Sequence, residues 1–342
     1  MKILFSGYHN PNNIAQTEYV ERAILQLGHE LETYDYRQHI IPYRISDKFP
    51  FLYRWDMNRL NDGLIKIVNH FRPDIFLVNF GGTFFPETIA EIRKRFNSIT
   101  INWLADFPGG AGVLETALRV VPAYNYFFAQ STDALKVHKQ HGNRGGMWLN
   151  AACDPDIHKP IDLSEEEKLE YGSDICFVGS MYPERVELFE TLTDFDIRIW
   201  GPGWDRIDSG SPLRKHIRGG AVTPETWVKI YNASKIVLNY MGHYGLDIDE
   251  DKVTQASPRV FETLACGSFQ IVDSKKDVVA LFTSGEHLVC FKKICEVKEL
   301  AKEYLDNPQK CKEIANKGRN EVLAKHTWVH RIEELLKAIG KS

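Results

Sequence analysis

The sequence predicts an α/β protein made of two Rossmann-like domains, each a doubly wound parallel sheet flanked by helices. Three observations support this fold class. The chain has 342 residues, about the length of two domains of roughly 150 residues each. Short apolar runs alternate with helical stretches in both halves, as in parallel sheets. A polar, proline-containing segment interrupts the alternation near the middle of the chain.

The composition is that of a folded protein without a strong charge bias. Hydrophobic residues make up 43% of the chain, aromatic residues 12%, and the formal net charge is -4. A slightly acidic chain disfavours nucleic-acid binding. Six cysteines are scattered without C-x-x-C spacing, as in reduced chains that have neither disulfides nor zinc ribbons. We find no signal peptide and no apolar run long enough to cross a bilayer, so we expect a cytoplasmic protein.

The first half of the chain is predicted to contain six strands separated by helices. We expect strands at residues 2–7, 29–36, 73–79, 98–104, 124–130 and 145–149. We expect helices at residues 14–27, 56–71, 86–96 and 131–140.

Asp106 follows the fourth of these strands. Ligands of parallel sheets bind beyond the carboxyl ends of the strands, so Asp106 is a candidate catalytic carboxylate. The alternative is an aspartate that caps the turn before Pro108.

The alternation stops at residues 150–160, where two prolines and several polar residues favour a loop, and a charged stretch follows. We therefore expect a first domain over residues 1–155, a linker over 156–172 and a second domain over 173–325. Because the chain finishes on consecutive helices, the last segment, 326–342, can leave its own sheet and brace the first domain.

The second half repeats the pattern. We expect strands at residues 174–179, 195–200, 235–240, 268–273 and 288–291, and helices at 224–233, 258–266, 296–305, 308–325 and 327–339. Residues 241–255 form a polar loop. Asp247, Asp249 and Asp251 in that loop have the D-x-D spacing of metal-dependent sugar transferases, but a solvated acidic loop is the simpler interpretation.

A charged pair lies in an otherwise apolar helix of the second half. Pro258 suits the first helical turn, Ser257 can cap it, and Gly267 ends it. Arg259 and Glu262 are three residues apart and therefore share a face. An arginine near a helix N-terminus attracts an anion such as phosphate, whereas the alternative is an ordinary Arg–Glu pair at the rim of the core.

Two glycine turns in the second half also indicate a ligand. Gly179 and Ser180 form a strand-to-helix turn, and Arg185 lies in the first turn of the helix, so a phosphate could sit there. The alternative for Arg185 is an exposed surface arginine. Gly201 begins a Gly-Pro-Gly turn that leaves room for a flat ring.

These segments together resemble a known family. Most of residues 174–338 is similar to the C-terminal domain of the glycosyltransferases named after the spore maturation protein CgeB. The similarity rests on residues 177–179, 234–239, 257–273, 285–289, 326–328, Arg331 and 335–336. The first half is similar only in outline, through residues 28–30, 72–74, Trp103, Asp106 and Pro108.

The resemblance implies the GT-B architecture, in which two Rossmann-like domains face each other across a cleft. The first would be the acceptor-side domain, and the second would hold a nucleotide-activated sugar. Glu262 would bind the ribose hydroxyls, and Arg259 and Arg185 would face the diphosphate. The other residues expected at the donor are Gly179, Ser180, Tyr182, Gly201, Val222 and Tyr240. Arginines and helix N-termini can neutralise a departing diphosphate, so we expect neither a metal nor a cofactor.

One position departs from the pattern of retaining relatives. They often carry a second glutamate eight positions before the ribose-binding one, where this chain has Thr254. The stereochemical outcome is therefore open. An inverting enzyme needs a base, for which Asp106 is the first candidate and His9 and His243 are the second.

The sequence therefore predicts a metal-independent glycosyltransferase that uses a UDP-, GDP- or TDP-sugar. Its acceptor is open among glycans, proteins and small molecules, and the acidic balance disfavours DNA. One alternative is a nucleotide-sugar epimerase or hydrolase on the same architecture. Another is a non-catalytic protein that binds a nucleotide sugar.

Overall fold

The computed structural model describes residues 1–10, 16–46, 48–80, 82–105, 118–142, 145–242 and 253–341. The chain divides into two compact units. The first is Met1–Asn150 together with Trp328–Ser342, and the second is Ala151–Thr327. Across these ranges, no helix is both long enough and apolar enough to span a membrane.

The first unit is built on a parallel sheet. Its described strands are β1 (Lys2–Ser6), β2 (Glu30–Thr33), β3 (Ile75–Asn79), β4 (Ile99–Leu104) and β5 (Tyr126–Ala129). Its helices before the last segment are α1 (Gln16–Gln26), α2 (Tyr43–Ser46), α3 (Pro50–Phe71), α4 (Pro86–Phe96) and α5 (Thr132–Gln140). The strands pair in the order β2-β1-β3-β4-β5, and every pair is parallel.

The central strands of this sheet are buried on both faces. Leu4 of β1 and Phe76 of β3 are fully buried, and both pack with Leu64 of α3 and Ile89 of α4. Continuous apolar strands of this kind are typical of parallel sheets covered by helices on both sides. The order of the strands reverses direction at β1, which is the doubly wound arrangement that the sequence predicts.

The sixth strand predicted for this unit, at residues 145–149, is not a strand among the described residues. Trp148 forms only a single bridge with Ala129 of β5. Gly146 has φ 103°, outside the extended region, and a side chain there would collide with the carbonyl of Phe127. The chain therefore follows β5 too irregularly to extend the sheet.

The second unit contains a second parallel sheet. Its described strands are β6 (Ile175–Val178), β7 (Ile197–Trp200), β8 (Ile217–Gly219), β9 (Ile236–Asn239), β10 (Gln270–Asp273) and β11 (Val289–Phe291). They pair in the order β11-β10-β9-β6-β7-β8. The helices are α6 (Glu165–Tyr171), α7 (Pro183–Glu190), α8 (Pro224–Ala233), α9 (Pro258–Ala265), α10 (Lys276–Leu281), α11 (Val297–Leu305) and α12 (Pro308–Lys325).

The last helix, α13 (Trp328–Ala338), returns to the first unit. The ring of Trp328 packs edge-on against Trp103 of β4, with 5.7 Å between ring centroids. Arg331 is buried, donates from Nε to the carbonyl of Asn150 at 3.1 Å and pairs with Glu334 at 2.9 Å. The structure thereby confirms that the C-terminal helix braces the N-terminal domain.

Candidate functional site

The helix that carries the charged pair forms as expected. Pro258 is its first residue, and Ser257 occupies the N-cap position without a side-chain capping bond. The residue after its C-cap, Gly267, has φ 70°, the left-handed conformation that commonly ends helices. Six of its eight residues are buried, so the helix lies deep in the second unit.

Arg259 and Glu262 both face a pocket of about 270 Å3 at the carboxyl ends of β6, β7 and β8. This pocket brings together six of the predicted donor-site residues: Gly179, Ser180, Gly201, Val222, Arg259 and Glu262. The remaining lining residues are Val178, Pro202, Ala221, Trp227 and Tyr231. Ligands of doubly wound sheets bind at this edge.

The two glycine turns lie against each other at the floor of the pocket. A side chain at Gly179 would collide with the guanidinium of Arg259, and one at Gly201 would collide with the carbonyl of Gly179. Gly201 also has φ 141°, which other residues rarely adopt. Glycine is therefore required at Gly201, where a side chain would meet backbone, and at Gly179 it leaves the guanidinium of Arg259 in place.

Glu262 is a buried carboxylate with few partners. Its exposed fraction is 8%. Burial raises the pKa of Glu262 to about 7, although the positive charge of Arg259 lowers it in part. No ion pair joins Arg259 to Glu262 in the part of the chain that the structure describes, so the ordinary helical pair considered from the sequence does not form.

His158, which the sequence analysis placed in the linker, lies next to Glu262. Its Nδ1 accepts a hydrogen bond from the backbone N–H of Asp154 at 3.1 Å, so the neutral ring carries its proton on Nε2. Nε2 is 4.0 Å from Oε1 of Glu262. Burial lowers the pKa of His158 to about 3, so the ring is neutral at physiological pH. The donor to His158 is a backbone N–H, so no side-chain pattern in the sequence marks this arrangement.

The two predicted arginines have different surroundings. Arg259 is half-buried and donates from Nη1 to the carbonyl of Val178 at 2.6 Å. Arg185 is 1% exposed and donates to the carbonyls of Tyr240 at 2.9 Å and Ser180 at 2.8 Å. Arg185 therefore ties the turn after β6 to the end of β9 and is not among the residues that line the pocket.

The two predicted tyrosines also lie away from this pocket. Tyr182 is the N-cap residue of α7, and the guanidinium of Arg185 lies 4.8 Å from its ring centroid. Tyr240 is buried at the end of β9, where it lines a different cavity.

Of the three predicted catalytic residues, the structure describes only His9, which is not among the residues that line this pocket. Asp106 and His243 lie outside the described residues, as do Asp247, Asp249 and Asp251. His9 belongs to the first unit, where its Nε2 lies 2.6 Å from Oε1 of Glu21. Among the described residues, no group of three His, Cys, Asp or Glu side chains could hold a metal ion.

The second unit matches a sequence family. Residues 185–337 match the family model described as glycosyl transferase-like. These residues include α9 with Arg259 and Glu262, which places the pocket largely within the matched segment. No curated protein sequence matches the chain.

Solved glycosyltransferase structures share the complete fold. Sucrose-phosphate synthase from Thermosynechococcus elongatus superimposes with a TM-score of 0.71 at 10% identity, covering 99% of both chains. HepE from Anabaena in complex with UDP-glucose gives 0.67 at 11% identity over 100% of both chains. The chain therefore has the GT-B fold. The galactosyltransferase WaaB of the lipopolysaccharide outer core, in its apo form, gives a TM-score of 0.65 at 12% identity, again over 100% of both chains.

Proposed function

We propose that this protein transfers a sugar from a nucleoside diphosphate donor to an acceptor hydroxyl, and that the Glu262 pocket binds the donor. The observation that carries the proposal is the combination, in one pocket, of a buried carboxylate, an arginine and two touching glycine turns. This pocket lies at the ligand-binding edge of the sheet in a domain of the glycosyl transferase-like family.

Each part of the pocket suits one part of a nucleotide. The carboxylate of Glu262 can accept hydrogen bonds from both ribose hydroxyls, which would supply the donors that none of the described residues provides. The guanidinium of Arg259 stands at the N-terminal turn of α9, where it would face the diphosphate. The base would lie against Gly201, Pro202 and Val222, which leave a flat, uncharged surface.

We propose a UDP-sugar as the donor. HepE shares the fold over its full length and is described in complex with UDP-glucose. In the transfer, the bond from the anomeric carbon to the diphosphate breaks, and the oxygen of the acceptor hydroxyl takes its place. The proton of that hydroxyl leaves to a base, and Arg259 neutralises charge on the departing diphosphate without a metal.

Several finer assignments also belong to the proposal. We propose that the chain belongs with the CgeB-like enzymes, that Asp106 is the base, and that His9 and His243 follow it as candidates. Arg185 would position the turn of Gly179 and Ser180 through its bonds to backbone carbonyls. His158, whose Nε2 lies 4.0 Å from Oε1 of Glu262, would orient that carboxylate for the ribose.

Calorimetric titration with UDP-, GDP- and TDP-sugars tests donor binding. We expect the UDP-sugar to bind and to raise the melting temperature, and Glu262→Gln to weaken this binding. If none of the nucleotides binds, the proposal is wrong. Release of UDP that accelerates with an added acceptor would support transfer, whereas release that no acceptor accelerates would identify a hydrolase.

A further inference from the structure

A second cavity lies on the same edge of the second sheet. Its volume is about 600 Å3. The ends of β9, β10 and β11 form its wall through Tyr240, Asp273 and Phe291. The pocket of Glu262 lies over β6, β7 and β8, so each half of the sheet edge has its own cavity at the place where α/β folds bind ligands.

Four lysines line this cavity. Lys275 is 8% exposed, and its Nζ lies 3.7 Å from Oδ2 of Asp273. Lys276, Lys292 and Lys293 also line the cavity, and their side chains are exposed to solvent. Within the described chain, none of these three ammonium groups forms an ion pair.

Three acidic residues line the cavity, against four lysines, and one of the three already accepts hydrogen bonds from the backbone. Asp273 accepts hydrogen bonds from the backbone N–H groups of Met241 and Gly242 as well as facing Lys275. Glu184 and Glu187 are the other two acidic lining residues. The exposed lysines are therefore available to an anion, and Tyr240 and Phe291 supply an apolar surface beside them.

We propose that this cavity binds an organic phosphate of sugar size. Lysine binds phosphate as a compact point charge, and the aromatic wall suits the apolar face of a sugar ring. This binding does not depend on the proposed function.

Titration with glucose 6-phosphate tests the site, with glucose as the uncharged comparison. The double variant Lys292→Ala/Lys293→Ala should weaken binding of glucose 6-phosphate by about tenfold and leave UDP binding unchanged. The matched control is Lys298→Ala/Lys302→Ala, which removes the same charge from the neighbouring helix α11 outside the cavity. This control should bind as the wild type does.

Three results would overturn the proposal. One is equal loss of binding in both double variants, because general surface charge would then explain it. Another is displacement of glucose 6-phosphate by UDP, because the cavity would then be part of the nucleotide site. The third is that glucose 6-phosphate does not bind while UDP still does. The proposed donor site would then stand, and only the proposed phosphate site would be removed.

A separate feature of the first unit carries a second inference. Exposed large hydrophobic side chains in the described chain concentrate in residues 40–55, with only Met1, Leu25, Met147, Leu169 and Val279 elsewhere. Those in the segment are Ile40, Ile45, Phe49, Phe51, Tyr53 and Trp55, with exposed fractions from 43% to 68%. Phe49 and Phe51 contact each other edge-on, with 6.1 Å between ring centroids.

The charge of this region differs from that of the whole chain. Residues 37–59 contain five basic residues, Arg37, Arg44, Lys48, Arg54 and Arg59, against two acidic ones, Asp47 and Asp56. The chain as a whole carries a net charge of -4. Exposed aromatic side chains interspersed with arginine and lysine are typical of surfaces that lie in a membrane interface.

We infer that residues 40–55 dock the protein on an anionic lipid surface. The aromatic side chains at the start of α3 would enter the headgroup region, and the surrounding basic residues would attract the lipid phosphates. The charge of the segment favours this occupant over a second copy of the same basic surface.

Co-sedimentation with vesicles of equimolar phosphatidylcholine and phosphatidylglycerol tests this inference. Phe51→Ser/Trp55→Ser should reduce the bound fraction by about tenfold, and high salt should also reduce it. The control is Leu169→Ser/Val279→Ser, which removes exposed hydrophobic residues of the second unit. Absence of vesicle binding, or equal binding to vesicles of pure phosphatidylcholine, would overturn the inference. It would also be overturned if the Phe51/Trp55 variant bound vesicles as the wild type does but changed its monomer-dimer equilibrium.

Discussion

Each unit contains a buried carboxylate, and the two have opposite surroundings. Asp56 in α3 is 1% exposed and accepts hydrogen bonds from Nε of Arg59 at 2.9 Å, the backbone N–H of Ile40 at 3.1 Å and the ring of His39 at 3.2 Å. Glu262 in α9 is 8% exposed, and its side chain accepts no hydrogen bond from any residue that the structure describes.

The pKa values of the two groups follow from these partners. Burial raises the pKa of Asp56, but its hydrogen bonds to Arg59, Ile41 and His39 outweigh this and hold it below the usual range. Burial raises the pKa of Glu262 to about 7, and only the charge of Arg259 opposes it. A structural carboxylate such as Asp56 receives hydrogen bonds from the protein itself. A carboxylate in a pocket that receives none from the described residues, such as Glu262, is available to a ligand.

Removing Asp56 should have the largest effect. Asp56→Ala leaves the partners of a buried charge unpaired, so we expect the free energy of unfolding to fall by about 3 kcal/mol in urea denaturation at neutral pH. Because the folded pKa of Asp56 is lowered, its stabilisation is present at neutral pH and is lost as the pH falls through that pKa. The cost of the substitution should therefore shrink in acid.

Asp62→Ala on the same helix is the control for this prediction. Its side chain is exposed, so the substitution should change stability by less than about 0.5 kcal/mol. Equal stability of the Asp56 and Asp62 variants would show that the bonds around Asp56 contribute nothing.

The next effect concerns binding at Glu262. Glu262→Ala should weaken binding of a UDP-sugar by about 100-fold, because two charge-assisted hydrogen bonds to the ribose would be lost. Calorimetric titration measures this change directly. Glu225→Ala, an exposed position on α8, should bind as the wild type does, and unchanged affinity in the Glu262 variant would remove that residue from the site.

Local sequence signals were sufficient to predict the two sheets and the helix that carries Glu262. The alternation of apolar strands and helices predicts both sheets apart from β8, and proline at 258 with glycine at 267 predicts the limits of α9. Glycine at 179 and 201 marks the turns that meet in the pocket. Helix α6 was missed, although Ser164 and Glu167 form a capping box that the sequence displays.

The rest depends on residues distant in sequence. Arg185 was expected to face a diphosphate, but its partners are carbonyls at the end of β9, which no local pattern specifies. His158 reaches Glu262 only because the segment before α6 folds back onto α9. That none of the described residues donates to Glu262 is likewise a property of packing, and it leaves burial free to raise the pKa of this side chain.

Glu262→Gln should make the protein more stable at pH 8 by about 2 kcal/mol. The pKa of Glu262 in the folded protein, about 7, lies above the ordinary value of 4.5. The protein therefore has its full stability below pH 4.5 and loses part of it as the pH rises through 7, because the buried side chain is then ionised. Glutamine avoids that cost. Urea denaturation at pH 8 and pH 4 measures the effect, which should disappear at pH 4. If the variant is less stable than the wild type at pH 8, Glu262 accepts hydrogen bonds in the free protein.

The smallest effect is the pH dependence of donor affinity. If the ionised carboxylate receives the ribose hydroxyls, affinity for UDP-glucose should fall about tenfold from pH 8 to pH 6, since a group with a pKa near 7 is protonated over this range. UDP-glucose suits the measurement because its diphosphate diester does not titrate there. Glu262→Gln should bind more weakly at pH 8 but with a flat profile. If the affinity of the wild type is also independent of pH, the buried carboxylate is ionised over the whole range from pH 6 to pH 8. Glu262 would then differ from Asp56 in its access to a ligand and not in its charge.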